Sequence, residues 1–168
     1  MAINSKTLDF AGLTLRVGAI EAASSATAVS GGSTRTLTSL DAGKQINLDT
    51  ATGTVITLPS ATGSGMEFEF VTTVIATSNS HKVQVPNSTT YMTGALIVND
   101  NSDGTCTVFG TTGSTTTRSD TITLNRSTTG SVAVGERFFA KDVATGFWAI
   151  NGVVVATGVE ATPFSAAV

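Results

Sequence analysis

The chain has 168 residues, a formal net charge of -3, 40% hydrophobic residues and only 12% charged residues. This length suits one domain with its own core and leaves little room for two. The acidic balance, with no run of Lys or Arg, disfavours a nucleic-acid-binding protein.

Charged residues make up about 25% of an average domain, and in this chain small neutral residues take the place of many of them. Thr, Ser and Gly together occupy 65 of the 168 positions. Thr favours strands because its branched Cβ suits a pleated surface, and Gly and Ser favour turns. A free monomer usually keeps charges spread over its surface. The composition therefore predicts a β-rich protein whose surface is partly covered by partners.

The N-terminal segment predicts an extended arm, in which apolar residues alternate loosely with polar ones and the pattern breaks at Gly12. The apolar positions are Leu8, Phe10, Leu13, Leu15 and Val17. Leaving a large apolar side chain exposed forgoes roughly 1.5 to 3 kcal/mol of burial stabilisation. We therefore expect these five residues to form an interface with a partner surface.

Residues 22–33, with the sequence AASSATAVSGGS, predict a flexible connection because they are small and have little to bury. A short helix over residues 19–28 is the alternative, since Ala is a good helix former. The predicted organisation is an N-terminal arm and linker over residues 1–33, followed by a β-rich body with a short C-terminal tail over residues 34–168.

In the body, short strand-like runs alternate with turn signals, which is typical of a sandwich or a barrel. The runs are TRTLTSL, KQINL, TVITL, MEFEFVTTVIA, HKVQV, ALIV, TCTVF, DTITLN, SVAV, RFFAK, FWAI and VVVAT. Asp103-Gly104 and Asn151-Gly152 predict the clearest tight hairpins, because both dipeptides tolerate positive φ. We expect an all-β fold, with a β-sandwich or jelly-roll-like body and an extended N-terminal arm.

The segment from Glu67 to Val71 predicts which side chains are buried. Residues two apart on a strand share a face, so Phe68 and Phe70 are expected in the core and Glu67 and Glu69 in solvent. Further bulky core candidates, whose direction depends on the register, are Phe138, Phe147, Trp148 and Ile150.

The sequence offers little catalytic chemistry. It has one histidine, His81, and one cysteine, Cys106, so a zinc site made from Cys and His alone is impossible within one chain. It has no nucleophile-elbow, phosphate-loop or dinucleotide-binding motif. We expect no enzyme activity, no catalytic residue and no cofactor, with His81 an ordinary polar residue.

Two groups of acidic residues leave alternatives open. The run from Asn99 to Gly104 partly matches the start of a calcium loop, but the twelfth position is Gly110 in place of the bidentate Glu. A hairpin turn is the preferred interpretation, with a weak calcium site as the alternative. Glu67 and Glu69, about 7 Å apart on one face, have a spacing that suits glycan hydrolysis in principle, although a solvated face is preferred.

The first residues, MAINSKTLDF, lack the basic segment and apolar run of a secretory signal. No stretch approaches the ~20 apolar residues that span a bilayer. With its single cysteine, the chain is expected to be made in a reducing cytoplasm and to have no membrane partner.

One long stretch, from Thr36 to Val71, carries a recognisable pattern. It combines a threonine-flanked Leu, an Asp-x-Gly-Lys turn, a short strand ending in Leu-Asp, the segment Thr-Val-Ile-Thr-Leu-Pro, a Gly-rich turn and an aromatic strand. The pattern is similar to one in small structural proteins of tailed bacteriophages, and the segments His81 to Val85 and Gly146 to Ile150 also resemble that family. The chain thus resembles the capsid decoration (cement) proteins of phages of cyanobacteria and other aquatic bacteria.

The resemblance implies a virion protein that is made in the host cytoplasm and binds the outer capsid surface as a homotrimer. It would stabilise the capsid by binding across neighbouring major capsid proteins, with no small-molecule substrate. The arm would then cross to a neighbouring subunit or to the coat. The alternatives are a phage tail-fibre or receptor-binding β module, which needs an exposed aromatic-lined groove, and a β-fold hydrolase that uses Glu67, Glu69 or an Asp pair.

Overall fold

The computed structural model describes residues 8–10, 13–15, 27–113 and 117–168, the first two ranges by their main chain. These residues form strands, with a single 3₁₀ turn at Ser39–Asp41 as the helical element of the described part. The strands are β1 (Leu8–Phe10), β2 (Leu13–Leu15), β3 (Val29–Ser30), β4 (Thr34–Thr36), β5 (Gln45–Leu48), β6 (Val55–Thr57), β7 (Glu67–Thr72), β8 (His81–Gln84), β9 (Tyr91–Asp100), β10 (Cys106–Gly110), β11 (Thr121–Leu124), β12 (Arg137–Ala144), β13 (Phe147–Ala156) and β14 (Phe164–Ser165). The predicted all-β fold is confirmed.

The body is a sandwich of two sheets that share one core. The seven-stranded sheet has the order β10-β9-β13-β12-β7-β5-β3, and the five-stranded sheet has the order β14-β11-β8-β6-β4. Buried side chains from both sheets form a single hydrophobic cluster between them. β1 and β2 pair with each other as a separate antiparallel hairpin.

The first half of the body alternates between the two sheets. β3, β5 and β7 lie parallel in the seven-stranded sheet, while β4, β6 and β8 lie parallel in the five-stranded sheet. The chain therefore winds through three coils, each with one strand per sheet. The two sheets that share a core make the body a sandwich. The parallel winding distinguishes it from a jelly roll, in which the strands form antiparallel Greek keys.

The second half of the body is built from hairpins. β9 pairs with β10 and β12 with β13, both antiparallel, and β9 lies parallel to β13. β12 joins this half to the coils by pairing with β7. β11 lies between β8 and β14 in the five-stranded sheet.

Alternation along the strands places the aromatic core. Phe68 and Phe70 are fully buried, as predicted. The ring of Phe68 lies 5.7 Å from that of Trp148, and Phe70 stacks on Phe138 with ring centroids 5.0 Å apart. Phe147 alternates with Trp148 and therefore lies on the outer face. Offset ring pairs of this kind add about 0.5–1.5 kcal/mol to the burial of their area.

The hairpin predicted at Asn151-Gly152 is wrong. Both residues lie inside the long strand β13, and the turn between β12 and β13 falls at Thr145 and Gly146. Gly152 has φ 152°, and a Cβ there would overlap the main chain and Cβ of Phe138 on the adjacent strand. Gly152 is required because the two strands pack closely at this position. From the local sequence alone, such a glycine looks the same as one in a hairpin turn.

The strand predicted over residues 131–134 is also wrong. Ser131 has φ 65°, and the N–H groups of Ser131, Val132 and Ala133 all donate to the Glu136 carboxylate at 2.6–2.7 Å. A strand would send successive N–H groups to opposite sides, whereas a turn lets them converge on one anion. The segment is therefore an anion-centred turn.

The hairpin at Asp103-Gly104 is confirmed. Gly104 has φ 78°, and its N–H donates to the Asp100 carbonyl at 2.9 Å. The turn joins β9 to β10 in the register that pairs Asn99 with Cys106.

Both ends of the body are tied into sheets. Within the predicted linker, Val29 and Ser30 instead form β3, and the Gly31 N–H donates to the Asn47 carbonyl at 2.9 Å. Small residues can pair through their main chain alone, so a lack of apolar side chains does not prevent a strand. In the C-terminal tail β14 pairs with β11, and the Asp120 carboxylate accepts the N–H of Ala167 at 2.7 Å.

Candidate interaction surface

The outer face of the seven-stranded sheet carries an apolar strip across three neighbouring strands. The register aligns Val108 on β10 with Ile97 on β9, and Ile97 with Val153 on β13. Their exposed fractions are 65%, 38% and 45%. Single exposed apolar residues are common, but a contiguous set marks an interaction surface.

The strip continues into a shallow depression of about 490 Å³. Its apolar lining comes from Val134, Phe139, Val153 and Val155. Val134, in the turn over residues 131–134, is 65% exposed. A partner that covered this lining would gain roughly 1.5–3 kcal/mol for each large apolar side chain that it buried completely.

The charges beside the strip occur in pairs. Arg137 on β12 lies 3.5 Å from Glu69 on β7, and Lys141 lies 3.7 Å from Glu67. The two glutamates therefore face cations across the strand pair, at register positions that alternate with the buried phenylalanines. Exposed ion pairs of this kind contribute about 0–1 kcal/mol to stability, so their main consequence is a surface with little unpaired charge.

An aromatic cluster lies at the other end of β9 and β13. Tyr91 and Phe147 are register partners with ring centroids 6.1 Å apart. The Arg118 guanidinium lies 4.7 Å from the Tyr91 ring centroid and 5.7 Å from that of Phe147. The cation covers the rings, so they do not form an open stacking platform.

Among the residues that the structure describes, β10 forms one edge of the seven-stranded sheet. The ladder with β9 is flanked by main-chain hydrogen bonds from Asp100 to Thr105 and from Thr111 to Gly94, at 2.8 and 2.9 Å. Hydrogen-bonded positions alternate along an antiparallel pair. The N–H and C=O groups of Cys106, Val108 and Gly110 therefore point to the open side of the edge.

The predicted interface residues of the arm lie mostly in the hairpin of β1 and β2. The register pairs Leu8 with Leu15 and Phe10 with Leu13. Directly paired residues and residues two apart share a face, so these four residues lie on one face of the hairpin. Val17, the fifth predicted residue, lies outside the described residues.

His81 is fully buried and joins two turns. Its Nδ1 accepts the Thr54 N–H at 3.0 Å, and its Nε2 lies 2.8 Å from the Val74 carbonyl. Since Nδ1 accepts, the proton is on Nε2 and the ring is neutral. Burial lowers the pKa of His81, against smaller opposing effects of the Val74 hydrogen bond and the Asp49 charge.

Sequence reasoning missed two buried carboxylates that organise turns. Asp142 accepts the N–H groups of Thr62, Gly63 and Ser64 at 2.7–3.0 Å, and Glu136 holds the turn over residues 131–134. A signal was present, because Asp142 on β12 and Glu136 just before it are separated from buried Phe138 by an even number of residues. Burial raises the pKa of Glu136, and its backbone donors only partly offset this effect.

In the segment that was considered as a weak calcium site, the carboxylate oxygens accept hydrogen bonds from the main chain. Asp100 accepts the Ser102 N–H at 2.6 Å, and Asp103 accepts the Thr105 N–H at 2.9 Å. Among the described residues, no three His, Cys, Asp or Glu side chains cluster in a way that could hold a metal ion. The acidic oxygens of residues 99–104 thus stabilise the hairpin turn.

Comparison with known protein families, with curated proteins and with solved structures finds no match to this chain. In the part of the chain that the structure describes, no helix is long and apolar enough to cross a membrane.

Proposed function

We propose that this chain is a structural virion protein that decorates a phage capsid as a homotrimer and stabilises it by binding across neighbouring major capsid proteins. The observation that carries the proposal is the apolar strip of Val108, Ile97 and Val153 with its adjoining depression. The resemblance of residues 36–71 to decoration proteins supplies the identity of the partner.

The composition of the outer face favours a lasting contact with another protein. Burying charge without a partner costs several kcal/mol, and the charges beside the strip already have partners in Arg137–Glu69 and Lys141–Glu67. A coat protein can therefore cover this face without leaving a new unpaired charge. Symmetry then multiplies each weak contact over many copies.

The proposal is tested by co-sedimentation of the purified protein with capsids that lack it. Val153→Lys places a charge where the strip meets the depression, and we expect capsid occupancy to fall roughly tenfold or more. Val143→Lys is the matched control, because Val143 is 49% exposed near the β12–β13 turn and outside the strip. Undiminished occupancy of Val153→Lys, or the same loss in both variants, contradicts the proposal.

The receptor-binding alternative makes a different prediction on the same protein. It requires glycan binding at the aromatic cluster, where Arg118 covers the Tyr91 ring. We expect a glycan array to show no specific binding. Binding that is lost in Tyr91→Ala would favour the receptor-binding module.

A further inference from the structure

We infer that β10 is a docking edge that receives the β1–β2 hairpin of a second copy of this chain. The inference rests on the oligomeric part of the proposed function and adds the contact that builds the oligomer. It does not depend on what the oligomer binds.

The edge at β10 has the properties of a strand-pairing site. Its main-chain groups at Cys106, Val108 and Gly110 point outward, as the ladder with β9 shows. Proteins usually protect such edges with Lys, Pro, inward charges or bulges, yet β10 reads Cys-Thr-Val-Phe-Gly and has a regular register. At five residues it is also longer than the outermost strand at the other edge, the two-residue β3.

The hairpin supplies a matching segment. A two-stranded hairpin alone is marginally stable in water and needs further strands or a packed face. Its strands are three residues long, which fits the outward groups of β10. Docking in the orientation that aligns the apolar face of the hairpin with Val108 would extend the strip by Leu8, Phe10, Leu13 and Leu15.

The length of the connection favours a neighbouring copy as the recipient of the hairpin. Thirteen residues, 16–28, connect β2 to β3, and β3 lies at the sheet edge opposite β10. Six strand spacings of about 4.8 Å separate these edges by about 29 Å. A flexible chain of 13 residues has a root-mean-square span of about 20 Å, which is shorter than this separation, so reaching the β10 edge of the same chain would require a stretched connection.

A neighbouring copy removes that requirement. If the β10 edge of one subunit lies beside the β3 edge of the next, the hairpin reaches the partner's edge without crossing a sheet. The contact is heterologous, since one subunit gives a hairpin and the other an edge, and it closes into a ring when the rotation between copies permits. Closure leaves no β10 edge open.

The first test is a substitution at the edge itself. Val108→Pro removes an outward N–H and no bond to β9, and Pro is tolerated on edge strands at such positions. We expect unchanged far-ultraviolet circular dichroism and association at least roughly tenfold weaker by analytical ultracentrifugation. Val108→Lys should give the same result, whereas Val143→Lys should associate normally. Normal association of a folded Val108→Pro protein together with a folded Val108→Lys protein overturns the inference.

The second test identifies the two partners. Asp9 pairs with Thr14 and lies off the apolar face of the hairpin, so the variant Asp9→Cys with Cys106→Ser carries one thiol on the hairpin. We mix it with the tagged wild-type chain, whose single Cys106 lies on β10, and add a short bismaleimide. A cross-linked heterodimer is expected, and Val108→Pro in the tagged chain should abolish it. Ser88→Cys with Cys106→Ser is the control, because Ser88 lies in an exposed turn.

The single variant Asp9→Cys, which retains Cys106, separates the two alternatives. If the hairpin docks on its own chain, this variant forms an internal cross-link and the mixture forms none, which overturns the inference. Neither experiment contains capsids. A failure here therefore leaves the capsid-binding result intact, and a failure of capsid binding leaves this result intact.

Discussion

Single buried carboxylates hold the connections of this protein together. Asp142 is fully buried at the end of β12 and accepts three consecutive main-chain N–H groups, from residues 62 to 64, as well as the Ser64 hydroxyl at 2.7 Å. Burial raises the pKa of Asp142. The hydrogen bonds from Thr62, Gly63 and Ser64 together have a larger, opposite effect and lower the pKa to about 2. The loop before β7 thus depends on one ionised side chain 80 residues away.

Replacing Asp142 by Ala should destabilise the fold strongly. The substitution removes several hydrogen bonds to a buried carboxylate, and a hydrogen bond to a charged group contributes about 1.5–3 kcal/mol. We expect the free energy of unfolding in urea to fall by about 3 kcal/mol or more. Glu69→Gln, which removes an exposed ion pair with Arg137, should cost less than about 1 kcal/mol. Equal losses in the two variants would show that the network at Asp142 is not the cause.

The single histidine makes stability dependent on pH. The pKa of His81 is lowered from 6.5 in the folded state, so the unfolded chain binds its proton more readily. The stability from His81 is complete above the unfolded pKa and is lost as pH falls from about 6.5 towards the lowered value. Glu136 has the opposite sign, because its pKa is raised above 4.5 and protonation near its folded pKa favours the folded state.

We therefore expect the Tm to decrease as the pH falls from about 7 to about 5. His81→Gln should lower the Tm at neutral pH and flatten this slope, since the chain has no other histidine. Glu136→Gln should make the slope steeper, because it removes the opposing contribution. Differential scanning calorimetry measures all three slopes, and an unchanged slope in His81→Gln contradicts the assignment.

At the scale of elements, the contacts between strands limit which residues fit. β12 and β13 approach closely where Gly152 faces Phe138, and Gly94 on β9 similarly faces the main chain of Ile150. Both glycines have positive φ, at 152° and 113°. At these two positions in the middle of the seven-stranded sheet, a side chain would therefore push the neighbouring strands apart.

Gly152→Ala should therefore cost much more than an ordinary glycine substitution. Its Cβ would overlap Phe138, and we expect a loss of about 3 kcal/mol or more in urea unfolding. Gly158→Ala is the matched control, because Gly158 also has positive φ, at 77°, but has no atoms within reach of a Cβ. It should lose about 1 kcal/mol. Similar losses at the two positions would mean that backbone strain alone, and not the close approach, requires Gly152.

The whole molecule combines a body that has its own core with a short N-terminal hairpin. Among the described side chains, the core draws on residues from Leu37 to Phe164. The body also presents the β10 edge and an apolar strip. Folding and association can therefore be separated by experiment.

Deleting residues 2–20 should leave the strand content of the body nearly unchanged. The same deletion removes the β1–β2 hairpin, so trimerisation, capsid binding or both should weaken. Circular dichroism measures the first effect, and light scattering with capsid co-sedimentation measures the second. A truncated protein that remains a full trimer and still protects capsids from heat would refute the role of the arm.

Much of the local structure follows from the sequence alone. Period-two alternation in Glu67–Thr72 fixes which face of a strand is buried, and Asp103-Gly104 fixes a hairpin because its backbone geometry is a local property. The alternation of Leu8, Phe10, Leu13 and Leu15 likewise predicts extended segments, and these residues lie in β1 and β2; their role in an interface stays a prediction. Alternation and turn chemistry act within a few residues, so sequence reasoning reaches them.

The tertiary structure decided the remaining features, because they depend on which strands become neighbours. Val108, Ile97 and Val153 belong to three different strands, and only the register brings them into one strip. Gly152 carries a turn signal, yet its contact with Phe138 makes it part of a strand. The parallel winding of β3 to β8 is invisible to local patterns, since parallel and antiparallel strands share the same side-chain period. The sequence by itself thus determined an all-β protein and the inward faces of its strands, whereas long-range pairing determined the course of the two sheets, the edge at β10 and the apolar strip on the outer face.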